Sequence, residues 1–109
     1  VAHEPSGVGA VLIRAVEPLE GIGIMKINRG IIDDEKLIEL TNGPGKFTVA
    51  FGIDKRLNGV CLTSEDSPIY ILNNQIRVKV SSSKRIGVRA DLNRDLRFYI
   101  GGNRFVSKR

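Results

Sequence analysis

The spacing of apolar residues changes partway along this chain, and that change restricts the folds open to it. Between residues 19 and 53 apolar side chains recur three and four positions apart, Leu19, Ile22 and Met25 first and Phe47, Ala50 and Phe51 later, with Leu37, Ile38 and Leu40 apolar between them. This is helical spacing. Beyond residue 69 the pattern alternates, with Ile76, Val78 and Val80 separated by Arg77 and Lys79, as a half-buried strand requires. Helices first and antiparallel strands after predict the α+β class, with short helices packed on a mainly antiparallel, curved sheet. At 109 residues the chain has room for one compact domain, whole or in part, and none for a second.

Glycine and proline punctuate these elements. The apolar, β-branched run over residues 7–16, broken only by Arg14, reads as a buried strand whose arginine needs a partner. The helix over 19–29 carries Gly21 and Gly23, which weaken it, and Gly30 closes it. Asp33-Asp34-Glu35 opens a short helix through Leu40. Pro44 suits the first position of the next helix. Residues 69–72 and 76–80 read as a hairpin about Asn73-Asn74, residues 85–88 as a resumed strand, and residues 96–100 as the last strand before a Gly101-Gly102-Asn103 turn.

Charge follows the same division. Residues 1–76 carry seven Lys or Arg against ten Asp or Glu, residues 77–109 ten against two, so a net −3 gives way to +8 within a total of +5. A basic block on a globular sequence suits a phosphate-bearing partner, since each cation that meets a phosphate releases condensed counterions. A solvated basic surface without a ligand has the same composition. The single Cys61 and single His3 supply neither an internal disulfide nor a zinc set, so no metal is expected. No apolar run approaches the roughly 20 residues that cross a bilayer, and the first residues lack a signal-peptide pattern. An intracellular protein is the expectation.

Gly43-Pro44-Gly45-Lys46 carries the clearest chemistry. A helix beginning there leaves backbone N–H groups uncovered beside two glycines, so a phosphate oxygen can approach the positive end of the helix dipole, with Lys46 adding charge. It lacks the spacing of a P-loop, and is closer to the Gly-x-Gly turn of helix-hairpin-helix DNA clamps. A tight turn between helices with an exposed lysine accounts for the same residues. Glu17 before Pro18 is more simply a turn residue than a catalytic carboxylate, and His3 lies near the chain start. The aromatic residues sit inside apolar segments and read as core.

Three segments taken together resemble one family. Val11-Leu12-Ile13-Arg14-Ala15-Val16-Glu17-Pro18-Leu19-Glu20-Gly21, then Asn42-Gly43-Pro44-Gly45-Lys46 running on to Gly52-Ile53, then Arg85-Ile86-Gly87-Val88 with Arg97-Phe98-Tyr99-Ile100 and Phe105-Val106-Ser107, look like the C-terminal portion of the alkyladenine, or methylpurine (3-methyladenine), DNA glycosylases. Met25 and Arg29 also fall where that family has a Met and an Arg. The resemblance implies base-excision repair by a monofunctional hydrolase. Such an enzyme flips alkylated or deaminated purines out of double-stranded DNA and cleaves the base–sugar bond with water, using no metal, cofactor or covalent lysine.

By the same resemblance, Arg14 and a backbone carbonyl near Val88 help position the attacking water, while Gly43, Gly45, Lys46, Lys84, Arg85 and Arg89 contact DNA. The family's catalytic glutamate, pocket aromatics and tyrosine wedge lie N-terminal to the segment matching Arg14, so the 109 residues alone are expected to be inactive. Arg89-Ala90-Asp91 departs from the more glycine-rich family pattern. A monomer is expected, and a noncatalytic basic DNA-binding module derived from this fold is the alternative.

Overall fold

A computed structural model of the chain describes residues 9–88 and 94–106. Its contacts gather into two compact units, Val1–Asn58 and Gly59–Arg109. The secondary structure is α+β: helices occupy the first unit, and an antiparallel strand pair the second.

In the first unit, α1 spans Ile22–Arg29 and α2 spans Pro44–Phe51, with a 3-10 segment over Asp34–Leu40, kinked at Lys36, between them and a one-turn 3-10 helix over Lys55–Leu57 after them. Both α-helices stop by the same device. Gly30 and Gly52 take left-handed φ values of 68° and 67°, a region costly for residues with a Cβ. The reversal lets the next amide reach back, Ile31 N–H to the Lys26 carbonyl at 2.9 Å and Ile53 N–H to the Thr48 carbonyl at 2.8 Å, which satisfies carbonyls the helix leaves open. Pro44 occupies the start of α2, as expected, because its missing N–H has no partner there to lose.

Met25 of α1, Leu40 at the end of the long 3-10 helix and Ala50 of α2 form the core of this unit, with Ile22, Ile31 and Leu37 packed partly around it. Side-chain bonds to backbone lock the pieces together. Asn28 Nδ2 of α1 donates to the Ala50 carbonyl of α2 at 2.9 Å, and Arg29 donates to the carbonyls of Leu40 (Nε, 3.2 Å) and Glu39 (Nη2, 3.0 Å). Phe51 stands edge-on to Phe47 with ring centroids 4.9 Å apart. Phe47 is buried and Phe51 is not, so the apolar face of α2 is narrower than its spacing suggests.

The segment before α1 differs from expectation. No strand forms over residues 9–19, and Val11 and Leu12 are exposed. A strand is completed by a neighbour's backbone, and the pairing found here is Val16 N–H to the Thr41 carbonyl at 3.2 Å. Arg14 is accordingly half-buried, whereas Pro18 is buried.

In the second unit, β1 (Val80–Ser83) pairs antiparallel with β2 (Arg97–Ile100), Val80 opposite Ile100 and Ser83 opposite Arg97. This replaces the hairpin read about Asn73-Asn74. The asparagines do turn the chain, accepting from the Gln75 and Ile76 amides at 2.9 and 3.0 Å, but residues 69–79 form no strand and residues 70–80 are all exposed. Alternation marks a stretch able to pair; its register comes from a distant partner. Residues 85–88, read as strand, instead contain a turn at Ile86-Gly87. Arg97 and Phe105 are the buried side chains among the described residues of this unit. No helix among the described residues is long and apolar enough to cross a membrane.

Candidate nucleic-acid interface

The start of α2 is built as its sequence suggests. Gly43 is extended and its carbonyl accepts from Phe47 N–H at 2.8 Å, which opens the helix. No side chain caps the first turn. Gly45 and Lys46 are exposed, and a Cβ built on Gly45 would meet nothing within 4 Å. An anion therefore has clear access to the uncapped turn, where partial positive charge collects. The Lys46 ammonium folds back over the turn and donates to Asn42 Oδ1 at 3.0 Å, which keeps the charge at the mouth of the helix.

Arg14 reaches the same unit by a different route. Its segment is fastened two residues later, where Val16 gives its N–H to the Thr41 carbonyl and takes the Thr41 hydroxyl at 2.6 Å. Thr41 immediately precedes Asn42, the partner of Lys46. Nothing in the local sequence marks this fastening, because a threonine before Asn-Gly reads as part of a turn. Arg29, matched earlier only by position, secures the two carbonyls just before Thr41.

The other expected site residues lie in the second unit. Lys84 and Arg85 are exposed just after β1, and Ser83 Oγ donates to the Lys84 carbonyl at 3.1 Å. Val88 is 40% exposed, beyond the Ile86-Gly87 turn. Arg89 and His3 fall outside the described residues. Arg97 was not singled out as a site residue, yet its guanidinium is buried, donates to Ser83 Oγ at 3.1 Å and lies 4.5 Å from the Tyr99 ring centre. Opposite register and a two-residue step along β2 bring these three side chains together, so sequence alone could not pair them.

Titration is perturbed away from these residues. Hydrogen bonds from Arg56 hold the Asp54 carboxyl below its ordinary value and raise Arg56 in return, and the Thr63 hydroxyl, 3.2 Å from Cys61 Sγ, lowers the exposed Cys61 thiol.

The sequence model of the methylpurine-DNA glycosylase family matches residues 1–104. A protein of Mesorhizobium japonicum named "Putative 3-methyladenine DNA glycosylase" is 44% identical over 109 residues, covering 98% of this chain and 50% of its own length. Proteins of the same name from Salinibacter ruber and Chlorobium phaeobacteroides are 42% and 43% identical, again over 98% of this chain and 51% and 53% of their own lengths. The chain spans about half the length of the curated relatives it matches. With an exposed, uncapped helix start bearing Lys46, an anchored arginine segment and a family match over residues 1–104, the chain belongs to the methylpurine-DNA glycosylase family.

Proposed function

We propose that this chain forms part of a base-excision repair glycosylase that removes alkylated or deaminated purines from double-stranded DNA. The observation that carries the reading is the joining, within one unit, of a half-buried arginine segment to an open helix start that can take a phosphate. In the first unit Lys46, Gly43 and Gly45 hold the DNA backbone, and in the second Lys84, Arg85 and Arg89 are the DNA-contacting residues. The damaged nucleotide is turned out of the stack before its bond is cut.

Chemistry at the sugar needs a water and a base for its proton. The water oxygen bonds to C1′ as the C1′–N9 bond breaks, its proton passes to a carboxylate, and the bonding pair leaves with the purine. A 3-alkylated adenine departs without further protonation because it is cationic while bound to the sugar. Hypoxanthine needs a proton as it leaves. Arg14, always charged and planar, orients the water and the carboxylate; the family resemblance gives a backbone carbonyl near Val88 a water-positioning role as well. The carboxylate comes from the part of the relatives' length that this chain does not span. The protein acts as a monomer inside the cell, without metal or cofactor.

Release of 3-methyladenine or hypoxanthine from duplex DNA by the complete protein tests this reading, and the 109 residues alone are expected to release little. No release by the complete protein would sink it. A second reading, a basic DNA-binding module without chemistry, is favoured by the net +8 of residues 77–109. It predicts affinity that falls steeply with salt, by a slope of about −0.9 per phosphate contacted, and only weak preference for damaged over undamaged duplex. Fluorescence titration on both duplexes at two salt concentrations separates the readings.

A further inference from the structure

We infer that Thr41 is a positioning residue that fixes the Arg14 segment in register with the Lys46 helix start. Three consecutive residues at the end of the 3-10 helix each hold a different element. Leu40, fully buried, sits in the core, and its carbonyl takes Arg29 Nε. Thr41, also fully buried, makes both bonds to Val16: its carbonyl accepts from Val16 N–H at 3.2 Å, and its hydroxyl donates to the Val16 carbonyl at 2.6 Å. Asn42 accepts from Lys46 Nζ. The arginine segment and the phosphate-facing turn are thus both tied to the same three-residue stretch.

The hydroxyl gives Thr41 a function that its backbone alone cannot supply. A residue without it still offers a carbonyl to Val16 N–H but leaves the Val16 carbonyl without its donor. Pairing by a carbonyl and a hydroxyl from the same residue fixes the orientation of Val16 as well as its distance. Arg14 lies two residues away, and Val11 and Leu12 beyond it are exposed, so Val16 and the buried Pro18 are where this segment is held. Small displacements of a group that orients a reactant are costly in rate, which makes Thr41 matter to Arg14 without touching DNA.

The inference rests on the glycosylase reading for its catalytic consequence and on geometry alone for the restraint, so the two are tested separately. Trypsin cuts after Arg14. In the 109-residue chain, T41V is expected to raise the rate of that cleavage by about tenfold while cleavage after the exposed Lys55 is unchanged, and T41S restores protection. Equal rates at Arg14 in wild type and T41V, or equal acceleration at both sites, would overturn it. If T41V does not fold, hydrogen exchange in the unaltered chain decides: a slowly exchanging Thr41 hydroxyl proton supports the restraint, and free exchange of that proton overturns it. In the complete protein acting on 3-methyladenine duplex, T41V is expected to lower kcat by about tenfold at unchanged KM, with rescue by T41S. Loosened trypsin protection with unchanged kcat overturns the positioning role. Absence of purine release by the wild type sinks the glycosylase reading instead, and leaves the trypsin comparison to judge the restraint.

Discussion

The unit Val1–Asn58 holds a small buried core, and the unit Gly59–Arg109 buries less among its described residues. The first buries Pro18, Met25, Leu40, Thr41, Phe47 and Ala50 and ties its elements with long-range bonds from Asn28, Arg29 and Thr41. Among its described residues the second buries Arg97 and Phe105, around a ladder of four residues on each side. Helices of eight residues leave about half of their backbone groups without an intrahelical partner, and in the first unit the Gly30 and Gly52 reversals and the bonds from Asn28, Arg29 and Thr41 supply further partners. A two-stranded ribbon satisfies half its backbone groups at best and needs further strands or a covering layer for independent stability. The apolar residues Ile71, Leu72, Ile76, Val78 and Val80 remain exposed.

The contrast can be broken most forcefully at Leu40. Leu40→Ala removes the most buried apolar side chain of the first unit and is expected to cost about 2–4 kcal/mol, read from urea unfolding followed by helical circular dichroism. A loss below about 1 kcal/mol would mean that the first unit lacks the core assigned to it.

A smaller effect is expected where the second unit is tight. Gly101 extends the ladder by donating to the Lys79 carbonyl at 2.9 Å, and a Cβ there would lie 2.9 Å from Ser81 Oγ. Gly101→Ala is expected to cost roughly 1 kcal/mol by crowding, and Ser81→Ala in the same chain is expected to recover most of it. A double-mutant cycle without coupling would remove that contact from the account. Val78→Thr, on the exposed stretch, is expected to change stability by no more than about 0.5 kcal/mol; a larger loss would reveal burial in the second unit.

The smallest expected effect is electrostatic. Arg56 holds the Asp54 carboxylate by paired bonds of 3.0 and 2.7 Å, and Asp54 Oδ1 also takes the Arg56 amide at 2.9 Å. Because folding lowers this carboxyl below its ordinary 3.8, its contribution is complete above that value and is lost as pH falls through the lowered folded value. Acid unfolding of Asp54→Asn should lack this component. The pair is exposed, so the difference is expected to be slight; identical acid limbs for both proteins would show that the pair contributes nothing.

The outcome for each element follows from where its information resides. Gly30 and Pro44 were readable because helix ends are settled by backbone geometry within a few residues. The start of α2 was legible for the same reason, down to its uncapped turn. Residues 7–16 and 69–80 were legible only as apolar or alternating stretches. Whether such a stretch becomes a strand depends on another backbone, and the structure gives Val16 to Thr41 and gives β1 to β2 in place of residues 69–72.

The family itself was visible in three segments of sequence, and so were Arg14 and Lys46 as residues to watch. Their connection was not. It runs through the adjacent Thr41 and Asn42 and through Arg29, which bonds the carbonyls of Glu39 and Leu40 just before them, and it forms only when α1, the 3-10 segment and α2 pack. By itself the sequence determined the local elements, because propensity, glycine and proline act over a few residues. The tertiary structure decided which backbone groups pair and where Arg14 is anchored, because those bonds join residues up to 25 positions apart.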